Sequence, residues 1–323
     1  MELSIIIVNW NSLAYLRACL ISLSQHIREV SSEVIVVDNA SPEDDIDSLK
    51  QQFPDVQLIK SVVNLGFAGA NNLGFKESKG DYVLFLNPDT QLIGNAIKTM
   101  LDQAKLLPDA GVVGCKLLNT DLSVQTSCIQ KFPTIPNQLF DFEYLRLRWP
   151  NCPLWSIGPL FSDNDKPVSV EIISGACMLL RRDVFARAGM FTEDYFMYAE
   201  DLDLCYKARR LGLRNYYVGK AEVIHHGGQS SNQVNVSNWS VVMRFKALQK
   251  FCAKRQGPLY GWLYRAAMGS IALSRLVILS FARLFRSDDS RKQAVKHASS
   301  KWFAVLKWSC GVDAGRSRSA TNR

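Results

Sequence analysis

The sequence is poor in soft metal donors and in the standard nucleotide-binding signatures. Four histidines and eight cysteines occur in 323 residues, and no two cysteines form a CxxC pair. That excludes a disulfide framework or a zinc site. Cys115, Cys177 and Cys205 lie inside apolar runs, so the thiols are expected to be buried and reduced, as in a cytosolic protein. No GxGxxG fingerprint and no GxxxxGK[ST] loop is present, which argues against a dinucleotide oxidoreductase and a P-loop NTPase. The chain enters a strand at Leu3 with no basic n-region or apolar h-region before it, and no signal peptide is expected. Low-complexity tracts and internal repeats are absent. The composition, 47% hydrophobic and 21% charged, is that of a folded globular protein, neither a disordered chain nor a multispan membrane protein.

The net charge of +8 is unevenly spread. Residues 1–243 carry −6 and residues 244–323 carry +14. A basic tail of that size implies an anionic partner: lipid, nucleic acid or a phosphate-bearing substrate.

Short apolar runs alternate with helical patterns along the first 118 residues. Strands are expected at Leu3–Val8, Val34–Val37, Val56–Lys60, Tyr82–Leu86 and Val112–Cys115. The intervening helices are expected from Leu13 (with Ser12 as cap), over roughly Glu43–Gln52, after the turn Asn64–Asn72, and after the Tyr82–Leu86 strand to about Leu107. This alternation predicts an α/β, doubly wound, mostly parallel sheet with its ligand-bearing loops on one edge. Ser123–Lys166 reads as a long insertion with little regular structure. Two strands meeting at Ser174-Gly175 follow, then a helix near Asp183, an acidic helix closed by Gly212 and a short strand pair ending at His225-His226.

Five groups carry the chemistry. Tyr82–Leu86 is halted by Asn87-Pro88-Asp89, which fixes Asp89 at the carboxyl end of a central strand as either a helix cap or a ligand. Asp38 ends the second strand, where an acid meets a nucleoside or makes a turn beside Pro42. The glycine-rich turn Asn64–Asn72 opens a helix whose N-terminus favours anions. Glu200, Asp201 and Asp203 begin the acidic helix; a carboxylate there is either helix-stabilising or a general base. Asp203 and Lys207, four apart, are expected to form a solvated pair. His225-His226 precede two glycines, and an imidazole there is structural or a ligand to a cation shared with a carboxylate.

In order, SIIIVNWNS, EVIVVDNAS, NLGFAGANN, DYVLFLNPDT, SGACMLLRRDVF, FMYAEDLDLCYKARRLG and VIHHGGQSS resemble the family 2 glycosyltransferases of GT-A fold, on their rhamnosyltransferase-like branch. The resemblance covers about residues 3–231. It implies nucleotide contacts from Asn9, Asp38, Asn64, Gly66 and Asn87, and Mg²⁺ or Mn²⁺ held by Asp89 and His225. It also implies catalytic carboxyls at Asp201 (base) and Glu200. Asn87 stands where a strict DxD motif has its first aspartate. The implied reaction is inverting transfer of a sugar, L-rhamnose from dTDP-rhamnose, to a glycan or lipid-diphosphate-linked acceptor in cell-surface polysaccharide synthesis. A sugar-nucleotide pyrophosphorylase and a non-catalytic glycan-binding protein are the alternatives. Residues 1–238 would form the catalytic domain (nucleotide half 1–118, acceptor half 119–238), with the acceptor chosen by the insertion and the Ser174-Gly175 loop.

Residues 239–323 are expected to form a helical, basic extension. Leu259–Phe285 approaches the length of a membrane span but contains Arg265, Arg275 and Arg283, which favours a helix lying at an interface or packed on the catalytic domain. Trp262, Trp302 and Trp308 beside lysines and arginines fit anionic headgroups. The expected location is cytoplasmic, peripheral on the cytoplasmic face of the inner membrane, with no nucleic-acid partner.

Overall fold

The computed structural model describes residues 1–27, 29–42, 45–140, 143–162, 166–195, 197–227, 238–284 and 289–312. The positions of Glu43, Asp44, Gly228–Ser231 and Phe285 in the expectations above lie outside these residues. The chain packs as two compact units: residues 1–132 with 141–233, and residues 133–140 with 234–323.

The first unit is built on β1 (Leu3–Asn9), α1 (Leu13–His26), β2 (Ser32–Asp38), α2 (Ser48–Gln52), β3 (Gln57–Lys60), α3 (Gly66–Glu77) and β4 (Tyr82–Leu86). β1 is buried at every position and β4 at all but its first, as expected of strands covered on both faces. β5 (Thr90–Ile93), α4 (Ala96–Leu106) and β6 (Ala110–Leu118) follow. Among its described residues the insertion holds only short pieces: β7 (Ile129–Gln130), α5 (Ile135–Leu139, in the second unit), α6 (Glu143–Arg148) and a 3-10 turn at Gly158–Phe161. Beyond it come β8 (Val168–Val170), β9 (Ile172–Ile173), β10 (Cys177–Arg181), α7 (Arg182–Arg187), α8 (Glu200–Arg210) and β11 (Arg214–His225).

The main sheet runs β3-β2-β1-β4-β10-β6-β11-β5, with β8 also paired to β11. The β1–β2, β2–β3, β1–β4 and β6–β11 pairs are parallel, while β10 runs antiparallel between β4 and β6. The doubly wound, mostly parallel sheet is therefore present. Three local expectations change. Asp89 caps no helix, because Thr90–Ile93 forms β5 against β11 and α4 starts only at Ala96. The strand pair after Gly212 is one long strand; its register shift between Val218 and Glu222 absorbs Gly219, Lys220 and Ala221 without a turn. Ser12 gives α1 no side-chain cap, since its hydroxyl donates to Asn9 Oδ1.

Packing ties the strand bearing Asp89 to the segment before α8. Phe85 of β4 meets Phe185 and Phe191 at ring-centroid distances of 4.6 and 4.8 Å, and Phe75 of α3 meets Phe185 at 4.7 Å. Each such pair contributes about 1 kcal/mol beyond its burial. Asn72 of α3 latches the same segment, accepting from Phe191 N and donating to Phe191 O and Glu193 Oε1.

The second unit contains α9 (Asn238–Gln256), α10 (Pro258–Leu284) and α11 (Asp289–Ser309). Arg265 of α10 donates from Nε to Ser309 O and from Nη2 to Trp308 O, the last carbonyls of α11. Its guanidinium lies over Trp262 and Trp308, and that of Arg275 over Trp302. Both charges are thus used inside the helical unit.

Gly80 marks the hand-over from α3 to β4. A Cβ there would stand 2.5 Å from Ser4 N and 2.6 Å from Leu3 C, which belong to a central strand with no room to retreat. Gly80→Ala is expected to destabilise the protein by about 1–3 kcal/mol, read as a lower urea midpoint at unchanged slope.

Candidate active site

The sheet's carboxyl edge gathers the polar residues that the sequence marked. β1 and β2 end in register, Asn9 opposite Asp38. The Asn9 carboxamide is fully buried and donates to Asp38 Oδ1 (3.1 Å) and Ser41 Oγ (3.2 Å) while accepting from Ser12. Asp38 is buried too, its other oxygen accepting from Ser41 N. Two residues in the left-handed region, Asn11 and Ala40, turn the chain away beyond these strand ends.

Asn39, which the sequence reading passed over, builds the glycine-rich turn. Its Nδ2 donates to Asn64 Oδ1 and Gly66 O, and its Oδ1 accepts from Leu65 N. Asn64 Oδ1 also accepts from Gly66 N, and Gly66 opens α3 at φ +70°. A helix N-terminus is thereby fixed beside Asp38 by side chains from two strand-end loops. The signal available in sequence was the asparagine following a strand-end aspartate.

At the end of β4, Asn87 N donates to Ala176 O and Asn87 O accepts from Thr90 Oγ1. Asp89 is buried. Strand pairing sets His225 opposite Thr90, and His226 N donates to Asp89 O. As a result His225 Nε2 lies 3.4 Å from Asp89 Oδ1 and 3.3 Å from Asn87 Nδ2. One carboxylate oxygen and one imidazole nitrogen at this separation fit two neighbouring positions around a divalent cation. Among the described residues no third His, Cys, Asp or Glu joins them. That donor set suits a cation that completes its shell with phosphate oxygens and water.

The turn that receives Asn87 N also holds Asp201. Gly175 N donates to Asp201 Oδ2 (2.9 Å), and Asp201 Oδ1 accepts from Leu202 N (2.9 Å). A Cβ on Gly175 would sit 3.4 Å from Asp201 Cβ, an ordinary van der Waals contact, so it is the amide of this residue and not its missing side chain that engages Asp201. Tyr198 and Ala199, both left-handed at φ +71° and +66°, deliver the chain into α8. Asn9, Asp38, Asn64, Gly66, Asn87, Asp89, His225 and Asp201 are linked to the same edge through these bonds.

The remaining α8 acids are buried. Asp203 is no solvated partner: it has no exposed surface, accepts from Thr192 Oγ1 and lies 3.3 Å from Lys207 Nζ. Glu200 Oε2 is buried without a hydrogen-bond partner. Burial first, and then the Asp201 carboxylate, push Glu200 up to about 8. Between the ordinary carboxyl range and that value the unfolded chain ionises this group while the folded one keeps its proton. Its contribution to stability is therefore full below the unfolded value and lost as pH rises toward 8. Glu200→Gln should flatten the decline of Tm between pH 5 and 8; an unchanged slope would contradict the assignment.

Residues 4–189 match the family model described as glycosyl transferase family 2. The chain is 32% identical over 306 residues to N-acetylglucosaminyl-diphospho-decaprenol L-rhamnosyltransferase of Mycobacterium tuberculosis, across 88% of this chain and 95% of that one. It is 27% identical over 194 residues to rhamnosyltransferase WbbL of Escherichia coli K12, across 57% and 70%. Among solved structures it resembles mannosyltransferase PcManGT of Pyrobaculum calidifontis, determined with GDP-Man and Mn²⁺, at a TM-score of 0.58 and 15% identity over 96% of this chain and 87% of that one. At that identity the likeness is one of fold, and the fold is GT-A. More than half of the chain fits the family model and one relative is similar along almost its whole length, so the chain belongs to glycosyl transferase family 2 and is a glycosyltransferase.

Proposed function

We propose that this glycosyltransferase is an inverting, divalent-metal-dependent enzyme that moves L-rhamnose from dTDP-rhamnose to a hydroxyl of a lipid-diphosphate-linked glycan, on the way to a cell-surface polysaccharide. Two relatives named as rhamnosyltransferases, one of them for a decaprenol-diphosphate acceptor, support the sugar and the acceptor class. Asp38, with Asn9 behind it, binds the nucleoside; Asn64, Gly66 and the N-terminus of α3 receive the nucleotide's anionic part, and Asn87 borders it. Asp89 and His225 would hold Mg²⁺ or Mn²⁺, a Lewis acid that neutralises the departing diphosphate.

The observation that carries the mechanism is the pair of backbone amides on Asp201. Gly175 N and Leu202 N hold its two oxygens, so the carboxylate is oriented for an acceptor hydroxyl. Asp201 takes the hydroxyl proton as that oxygen attacks the anomeric carbon opposite the nucleotide. Inversion follows from the single displacement. Glu200 lies beside Asp201, its own carboxyl pushed up to about 8 by burial and then by the Asp201 carboxylate. Asp201→Asn should lower turnover at least about 10²-fold while dTDP binding, measured by calorimetry, stays within about twofold; normal turnover would overturn the role.

The same reading makes the enzyme cytoplasmic and peripheral on the inner membrane, where a lipid-linked acceptor is presented. α10 is long and apolar enough to cross a membrane by length and composition over Pro258–Phe281. Its exposed residues Leu259, Trp262, Leu263, Leu273, Val277, Ile278 and Phe281 recur at helical spacing, while Arg265 and Arg275 are engaged with α11. An apolar stripe on a basic unit suits a helix lying in an anionic interface. Leu263→Glu with Ile278→Glu should release the protein from phosphatidylglycerol-containing vesicles in a sedimentation assay. Undiminished co-sedimentation would contradict this docking.

A further inference from the structure

The residue that orients His225 is Gln125, from a part of the insertion where the sequence suggested acceptor selection. Beyond β6 the chain reverses in a tight turn: Asn119 N donates to Ser123 O, and Asp121 Oδ1 accepts from both Ser123 N and Ser123 Oγ. Val124 bridges back to Leu118, and Gln125 N donates to Leu117 O. Because Leu118 is paired with Ile224 in the parallel β6–β11 ladder, the returning strand meets the end of β11. Gln125 there grips His225 at two points. Its Nε2 donates to His225 O (2.5 Å), and its Oε1 lies 3.0 Å from His225 Nδ1.

These two contacts fix the direction of a proton. A backbone carbonyl only accepts, so the NH₂ end of the amide must face it and the carbonyl end must face the ring. The Oε1 also only accepts, so Nδ1 carries the hydrogen between them. In the neutral ring Nε2 then has a lone pair, and Asn87 Nδ2, 3.3 Å away, is a donor that suits it. That lone pair lies 3.4 Å from the Asp89 carboxylate, an acceptor facing an acceptor. Such a pair is relieved by a cation between the two atoms.

We infer that Gln125 is a positioning residue that sets the Nδ1–H tautomer of His225 and aims Nε2 and Asp89 at one divalent cation. The inference rests on the metal role proposed above for Asp89 and His225. Outer partners of this kind govern metal affinity by about 10–100-fold.

The test compares Gln125→Met, which keeps the length but loses both bonds, with Gln125→Glu, which keeps an acceptor toward Nδ1. Mn²⁺ binding is measured in the presence of dTDP by electron paramagnetic resonance of the free ion, with melting curves to establish that each variant is folded. Gln125→Met should weaken Mn²⁺ binding about 10–100-fold, and Gln125→Glu should retain it within about threefold. A merely structural glutamine would give the reverse order, with methionine tolerated and a half-buried charge not, and that order would overturn the role. Equal loss in both variants would overturn it as well. Independently, ¹⁵N-imidazole spectra of the metal-free protein should show His225 as the Nδ1–H tautomer; an Nε2–H ring would refute the inference. Asp89→Ala separates the two levels. If it leaves Mn²⁺ binding unchanged, the metal reading itself fails; if it abolishes binding while Gln125→Met does not, only the role of Gln125 fails.

Discussion

Buried polar groups at the carboxyl edge of the sheet must satisfy one another, and the architecture of the site depends on that constraint. Strand ends lose their ladder partners, and an unpaired buried amide or carboxylate costs about 1–3 kcal/mol. Asn9 meets the demand for β1 by joining Asp38, Ser41 and Ser12 in one hydrogen-bonded group. Asn39 does the same between the second strand end and the turn that opens α3. The side chains proposed for a nucleotide are thus also those that close the sheet, already held by one another's hydrogen bonds.

The turn 174–176 joins two of the strand-end groups. Its Ala176 carbonyl accepts from Asn87, two residues before Asp89, and its Gly175 amide orients Asp201. The approach to α8 through two left-handed non-glycine residues, Tyr198 and Ala199, costs about 1–3 kcal/mol each. The Phe75, Phe85, Phe185 and Phe191 cluster and the Asn72 latch brace that segment. The strain sits where an aspartate must be presented at a helix N-terminus, and the packing that holds it lies one layer below.

In the helical unit, arginines that interrupt the apolar pattern of α10 in sequence bind carbonyls and tryptophan faces of α11 in space. At Arg265 and Arg275 the interruption is therefore confined to the packed side. Its outward residues form an apolar stripe that linear reading could not separate from the arginines, because 3.6-residue periodicity assigns faces without saying which face finds a partner.

The order of buried strands and the motifs at their ends were legible because hydrophobic runs and stop signals are local properties. Tyr82–Leu86 ended by Asn87-Pro88-Asp89 is the plainest instance, and its strand bounds stand as read. β5 escaped because Thr90–Ile93 is a strand only through its pairing with β11, more than a hundred residues away. The burial of Asp203 and the proton held by Glu200 escaped for the same reason, since both are set by what packs over α8. Gln125 had no signature at all: one glutamine in an irregular insertion becomes meaningful only beside the carbonyl oxygen and ring nitrogen of His225 that it contacts. The sequence by itself determined the family, the alternation of the sheet and which residue types stand at strand ends. Tertiary structure alone decided which of them meet, because distances of 3 to 4 Å between distant residues depend on register and packing, to which no local pattern has access.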